Sequence, residues 1–407
     1  MSDKTIKIVE LFAGVGGFRV GFERSSRSIF KTVWANQWEP KQKGQWAYKC
    51  YEKNFGKKSF CSNKDIATVI EEVPKHDLLC GGFPCQDYSV AHTGAKGIEG
   101  KKGVLWWSIN DIIKLRHPSY VLLENVDRLL KSPSKQRGRD FGVILRCLMD
   151  EGYFVEWRVI NAAEYGYAQR RRRVFILAYK HNTKLYKKLE KQLQQDDGYK
   201  EWLLSKGVFG AAFPIQLENI GQIHKADVSK YKDLVSLTNN FTGDFKNAGL
   251  MADGKIYSVE TKPIHEEPIT LNDIVEKEGV DKHYFITEDQ LEKWTFLKGA
   301  KKIERTSKTG FKYTFAEGAI AFPDPLDKPS RTMLTSESTL NRSSHVIEDP
   351  KTKKLRKLTP IECERINGFP DNWTNTDMPE RQRYFIMGNA LVVHIIERIA
   401  NELKKRL

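Results

Sequence analysis

The sequence predicts an α/β fold, a doubly wound and mostly parallel sheet accompanied by a smaller, irregular domain. Three observations predict it. Short apolar segments alternate with helix-like stretches through the first 180 residues; a glycine-rich turn follows directly on the first of those segments; and the alternation stops after Tyr179. Strands separated by helices imply right-handed crossovers, and therefore parallel pairing.

Ile6–Leu11 is the first strand, short and apolar, and runs into Phe12-Ala13-Gly14-Val15-Gly16-Gly17. Lys31–Asn36, Asp77–Gly81, Tyr120–Glu124, Val155–Ile160 and Val174–Tyr179 read as further strands. Trp106–Arg116 and Phe141–Glu151 read as helices between them. From about His181 to Pro323 the chain is polar, lysine-rich and irregular, yet Trp202, Phe241, Tyr257, Phe285 and Trp294 give it apolar anchors, so it reads as folded. Helical periodicity returns at Thr359–Asn367 and Gly388–Lys405. The expected division is residues 1–180, a second domain at 181–330, and a C-terminal segment, 331–407, returning to the first.

The 407 residues carry a formal net charge of +15. Such a surface attracts polyanions, and nucleic acid is the leading partner, although a solvated lysine-rich surface has the same composition. No apolar run approaches the ~20 residues of a membrane helix, and Met1-Ser2-Asp3-Lys4 does not begin a signal peptide. A cytoplasmic protein is expected. The six cysteines form no CxxC pair and have few histidines near them, so no metal site is expected. Scattered thiols suit a reducing compartment.

Glycines between a strand and a helix let the backbone approach a ligand and turn sharply. Arg19 stands where a strict GxGxxG would have its last glycine, which argues against a pyrophosphate site; a plain strand-to-helix turn would have the same look. At the next strand end, Gln37 can accept one hydroxyl hydrogen bond, Glu39 is an alternative acid for a ribose, and Trp38 can lie against a purine or a sulfonium chain or be simply buried. Asp65-Ile66 follows a further short strand; the Asp suits an adenine amino group or the N-cap of a helix at Ala67–Glu72.

Gly81-Gly82-Phe83-Pro84-Cys85-Gln86 follows the strand Asp77–Cys80. A constrained turn at a strand's carboxyl end presents the Cys85 thiol outward, where a basic site favours the thiolate. Cys80, inside the strand, fits a buried and inert thiol instead. Glu124-Asn125 ends another strand at the same edge, as a catalytic carboxylate or a structural acid. In Gln169-Arg170-Arg171-Arg172-Arg173, alternation sends Arg171 and Arg173 to one face and Arg170 and Arg172 to the other; a solvated basic run is the alternative.

These blocks, in this order, resemble the cytosine-C5 DNA methyltransferase family: Phe12–Gly17, Asp65-Ile66, Gly82–Gln86, Glu124-Asn125-Val126, Gln169–Arg173, Arg331-Thr332, Gly368-Phe369-Pro370 and Gly388–Val393. The resemblance implies a Rossmann-like S-adenosylmethionine-dependent domain, with the middle of the chain as a target-recognition domain. It implies a cofactor pocket formed by Phe12, Ala13, Gly14, Gly16, Gly17, Gln37, Trp38, Asp65, Ile66 and Leu105, closed by Asn389 and Ala390. It makes Cys85 the nucleophile, has Glu124 and Arg173 hold a flipped cytosine, and has Arg171 support the loop or a phosphate. Gln86 and Ser89 would contact DNA, and Gln86 to Val104 resembles the family's mobile active-site loop. Departures are Gln37 for the usual Glu, Ala390 for a usual Ser and Lys102 for a common Arg. The implied partners are double-stranded DNA, without a membrane, for a monomer, and a cognate restriction endonuclease acting on the same site without an obligate complex. The rivals are a tRNA-methylating enzyme of the same family, whose Cys-Phe-Thr signature is missing here, a catalytically inactive DNA-binding module, and a dehydrogenase.

Overall fold

A computed structural model of the chain describes residues 5–40, 42–56, 60–83, 105–307 and 310–407. Ten strands form one sheet: β1 (Ile6–Leu11), β2 (Phe30–Asn36), β3 (Cys61–Ser62), β4 (Leu78–Gly82), β5 (Tyr120–Val126), β6 (Tyr153–Asn161), β7 (Arg172–Lys180), β8 (His224–Asp227), β9 (Ala248–Ala252) and β10 (Lys255–Val259), in the order β3-β2-β1-β4-β5-β7-β6-β9-β10-β8. Two small antiparallel pairs lie outside it, β11 (Lys301–Thr306) with β12 (Lys312–Glu317), and β13 (Val346–Glu348) with β14 (Leu355–Lys357). The longer helices are α1 (Gly17–Ser26), α2 (Trp46–Phe55), α3 (Leu105–Arg116), α4 (Arg139–Asp150) and α5 (Lys184–Leu193). Shorter α6 (Gly198–Glu201), α7 (Val208–Ala212), α8 (Leu234–Asn240) and α9 (Leu271–Ile274) precede α10 (Glu288–Lys298), α11 (Pro360–Ile366), α12 (Glu380–Asn389) and α13 (Val393–Lys404).

The winding on both faces follows from the pleat. In β1, Ile6 and Ile8 face a core shared with Phe18 and Phe22 of α1 and Ile396 and Ile399 of α13. Val9 and Leu11 face the other core, with Ile109 and Ile113 of α3 and Ile144 and Leu148 of α4. Sheet residues alternate between the two layers, and helices cover both.

Pairing is parallel from β3 across to β5 and antiparallel from β5 onward. The change has a simple cause. Only residues 162–171 join β6 to β7, fewer than the dozen or so that a parallel crossover needs.

The expected boundary at 180/181 does not coincide with the end of the sheet. β9 pairs with β6 from Val155↔Met251 to Arg158↔Ala248, and β10 and β8 follow. β9 is buried at every position, so it lacks the alternation by which a strand is recognised. After β10 the chain joins a separate core with the C-terminal region, in which Leu271, Ile274 and Val275 meet Met333, Ile347, Leu358 and Ile366.

The stretch Gly388–Lys405, expected as one amphipathic helix, is broken. α12 ends at Asn389, Ala390 and Val392 are extended, and α13 starts at Val393. A Cβ on Gly388 would lie 2.4 Å from the backbone of Leu334 and of Thr335, and the Val393 amide donates to the Asn367 carbonyl at 2.9 Å. Tertiary contacts on both sides of the break overrule the local period. Among the described residues, no helix is long and apolar enough to cross a membrane.

Candidate active site

The glycine turn after β1 holds three left-handed positions at alternate residues, Phe12 (φ 53°), Gly14 (φ 56°) and Gly16 (φ 88°). For Phe12 this conformation is strained, and strain of that kind persists only where surrounding contacts impose it. Glu10, the penultimate residue of β1, ties the strand to the helices that follow. It is fully buried, its Oε1 accepts from the Phe18 and Arg19 amides of α1 at 3.2 and 3.4 Å, and its Oε2 accepts from the Tyr51 hydroxyl at 3.1 Å. The amides are two of the unsatisfied donors of a helix N-terminus. Burial pushes the Glu10 pKa up to about 7, against the charge of Arg19 and these hydrogen bonds. The protein's own carboxylate thus occupies the anion position that a pyrophosphate takes in dinucleotide folds.

From the other side, the Trp373 indole donates to the Val15 carbonyl at 2.9 Å. A Cβ on Gly17 would lie 3.0 Å from Leu391, and one on Gly21 would lie 2.6 Å from Ile396. Gly21 therefore does what the missing position-19 glycine would have done, allowing close packing, but against α13. The break at 390–392 is what brings Leu391 beside the turn, with Asn389 exposed and Ala390 half-buried next to it.

Gln37 is buried at the end of β2, and its Oε1 accepts from the Gly14 amide at 2.7 Å. One lone pair of the acceptor expected for a ribose is therefore committed to the glycine turn. Glu39 is half-buried, and burial raises its pKa. Trp38 keeps 37% of its surface exposed, which excludes the buried alternative. Asp65 is an N-cap, accepting from the Ala67 amide at 3.1 Å, on two short 3₁₀ turns at Ile66–Thr68 and Ile70–Glu72 rather than the expected helix; Ile66 is buried. Leu105 opens α3 and, like Phe12, packs against the core that holds Val9 and Leu11.

The reactive edge is built on β4, β5 and β7. Gly82 pairs with Glu124, and a Cβ on Gly82 would lie 2.9 Å from Glu124 Oε2; glycine leaves the room that the carboxyl takes. Arg173 Nε lies 2.9 Å from Glu124 Oε1, with both side chains partly exposed. Asn125 donates to the Phe83 carbonyl at 2.8 Å and so fixes the chain at the residue preceding Pro84. Sheet order puts β1, β4 and β5 side by side, so the glycine turn and Glu124 stand two strand spacings apart, roughly 10 Å. Cys85, Gln86 and Ser89 lie outside the described residues, as do Lys102 and the rest of 84–104. Cys80 is fully buried, which pushes its thiol far above the usual range.

The arginine run divides as alternation requires. Arg170 and Arg172 are exposed, and Arg172 donates to Asp127 at 2.9 Å. Arg171 is buried and donates to the carbonyls of Met333 at 3.2 Å and Gly388 at 3.1 Å. From this buried position it braces the chain at Met333 and Gly388. Burial, then repulsion from Arg173, push its pKa down to about 9 against the pull of Glu124. Arg331 points elsewhere, pairing with Asp324 at 2.6 Å.

A family model of the C-5 cytosine-specific DNA methylases matches residues 6–405. The chain belongs to this family. It is 50% identical to the Type II methyltransferase M.Sau3AI of Staphylococcus aureus over 406 residues, 98% of this chain and 96% of that one. The fold resembles that of the S. pombe Dnmt2 methyltransferase, with a TM-score of 0.56 at 14% identity over 97% of this chain and 96% of the other. It also resembles the Entamoeba histolytica methyltransferase EhMeth, with a TM-score of 0.57 at 17% identity over 98% of each chain.

In this DNA cytosine methyltransferase, the bonds that hold the site together join segments far apart in the sequence. Buried Gln169 donates to Asn367 at 2.9 Å and accepts from the Met333 amide at 3.2 Å, while Asn367 donates to the Met387 carbonyl at 2.9 Å. Glu10 left one legible signal, a carboxylate inside an otherwise apolar strand. The Gln169–Asn367 bond spans 198 positions, and nothing local announces it. A cavity of about 1150 Å³ opens away from the reactive edge, at the N-terminal ends of β1 and β2 beside Lys7, Arg24 and Lys31.

Proposed function

We propose that the enzyme methylates carbon 5 of a cytosine flipped out of double-stranded DNA, with Cys85 as nucleophile and S-adenosylmethionine as methyl donor. The observation that carries this is the Glu124–Arg173 pair at 2.9 Å, set beside Gly82 at the carboxyl end of β4. Cys85 follows Gly82 by three residues in the sequence, a chain reach of about 11 Å at most.

The carboxyl ends of β1 and β2 suit the cofactor. A Cβ on Gly14 would meet nothing within 4 Å, so the turn borders open space, and Trp38 offers an exposed ring there for a cationic chain. Glu10 fills the helix N-terminus, which disfavours a pyrophosphate and suits a ligand without phosphates. Phe12, Gly14, Gly16, Gln37, Trp38, Asp65, Ile66, Leu105, Asn389 and Ala390 would hold it. Bound there, S-adenosylmethionine supplies an electrophilic methyl group on a sulfonium.

Carbon 5 of cytosine is a weak nucleophile. The Cys85 thiolate forms a bond to carbon 6, and the electron pair of the 5,6 double bond moves to carbon 5, the position to be methylated. Negative charge spreads to N3 and O2. Glu124 shares a proton with N3 and accepts from the exocyclic amine, and Arg173, which orients that carboxyl, donates to O2. Loss of the carbon 5 proton then expels Cys85. A stacked base hides carbon 6, so extrusion from the duplex precedes attack.

A Type II modification role, paired with an endonuclease acting on the same site, follows from the name of the Staphylococcus aureus relative, and chain beyond the sheet, within 181–330, carries target recognition. Incubation with duplex DNA bearing 5-fluorocytosine and S-adenosylmethionine tests the chemistry. A complex resistant to denaturing electrophoresis is expected, because fluorine cannot leave as the proton does. A freely dissociating product overturns the covalent step.

A further inference from the structure

The β11–β12 hairpin belongs to none of the hydrophobic cores. Its register, Lys302↔Ala316, Glu304↔Thr314 and Thr306↔Lys312, places these six side chains on one face of the ribbon. All six are exposed, whereas Lys301, Ile303, Phe315 and Glu317 on the other face are half-buried. Among the described residues, none of the polar side chains of that outer face has a hydrogen bond or ion pair.

An isolated two-stranded hairpin is marginal in water, and this one is held at its base. Arg342 donates to the carbonyl of Leu297 at 2.8 Å and of Gly299 at 3.1 Å, where the chain enters, and to that of Gly318, where it leaves. Lys301 pairs with Glu317 at 3.4 Å, and Arg305 lies over the Phe315 ring at 3.9 Å. The base is linked to the wall of the active site. Arg331 donates to the carbonyls of Ser343 and Ser344, the next residues after Arg342, and neighbouring Thr332 donates to the Arg170 carbonyl at 2.5 Å. The ribbon is a braced projection whose outer face is left open.

We propose that this outer face reads base edges in the major groove of the target. The inference rests on the reading of duplex DNA as substrate. A groove about 12 Å wide admits a two-stranded ribbon. The hairpin carries five basic against two acidic residues over 301–317, which favours approach to phosphates. The face itself carries the groups that distinguish bases: lysine donors for guanine, the Glu304 acceptor for the cytosine amine, and threonine and alanine methyls for thymine. A surface that only gripped phosphates would need no glutamate among its lysines.

The test compares full-length wild type with Lys302→Gln, Glu304→Ala and Thr314→Ala on a duplex library randomised around a cytosine, methylated and read by bisulfite sequencing. Lys188→Ala and Lys191→Ala on α5, exposed lysines far along the chain, serve as controls and leave the sequence preference unchanged. The expected result is a fall of about 5- to 100-fold in discrimination at one or two positions for each ribbon variant, with a shift towards adenine for Lys302→Gln. A parallel loss on all sequences with a shallower salt dependence assigns the ribbon to the phosphate backbone and overturns the proposal, as does an unchanged preference. A wild type that leaves every cytosine in the library unmodified instead defeats the substrate reading on which the proposal stands.

Discussion

The strand ends along the candidate active site and the β11–β12 ribbon treat polar side chains in opposite ways. At the strand ends, Glu10, Gln37, Asn125 and Arg171 are buried and each is committed to a backbone amide or carbonyl of another segment. On the ribbon, Lys302, Glu304, Thr306, Lys312 and Thr314 are exposed. Chemistry at a single atom demands groups that cannot move, and bonds to the backbone in a dry setting provide that. Recognition of a partner demands donors and acceptors still free to be used, so they must stand in water until it arrives. One fold supplies both by making one region with its hydrogen bonds closed and another with them open.

The sharpest attempt to break this contrast removes the reacting atom. Cys85→Ser abolishes methylation, while DNA and cofactor binding persist; near-normal turnover in a tritium-transfer assay would take Cys85 out of the mechanism. Glu124→Gln lowers kcat by roughly 10²- to 10⁴-fold with little change in DNA affinity, and an unaltered kcat would deny the carboxyl its role.

Stability effects come next. Gly388→Val forces atoms into the Leu334–Thr335 backbone, 2.4 Å from a Cβ, and costs about 3 kcal/mol, measured by denaturant unfolding. Glu10→Gln has a pH signature. Burial raises the Glu10 pKa from 4.5 to about 7, so the folded state holds the proton more tightly than the unfolded chain. The stability this contributes is fully present below pH 4.5 and is lost as pH rises through 7. Gln cannot titrate, so the variant's Tm falls less than that of wild type across this window, by the equivalent of about 3 kcal/mol. Parallel Tm curves would show that Glu10 does not carry this titration. Smallest of all, Thr306→Ala on the ribbon changes stability by less than about 0.5 kcal/mol; a larger loss would mean that the outer face is structural after all.

Much of the site could be read from local pattern. The glycine turn follows β1, Gly82 ends β4 beside Glu124, and the alternation of Arg170 to Arg173 sorted buried from exposed side chains. What escaped has identifiable causes. β9 is covered on both faces and shows no period; the C-terminal helix is broken by contacts to Leu334, Thr335 and Asn367 that no window of sequence contains; and Gln37 makes its bond to Gly14, 23 positions away.

The amino-acid order by itself determined the α/β rhythm, the glycine turn and the reactive motifs, because each depends on neighbours within a few residues: strand period, helix period and backbone freedom. Only the tertiary structure decided that Arg171 would be a brace and Arg173 the partner of Glu124, that the sheet would run on past Tyr179, and that Leu391 would press on Gly17. Those outcomes depend on which distant segments exclude water together, and burial is a property of the whole packed chain.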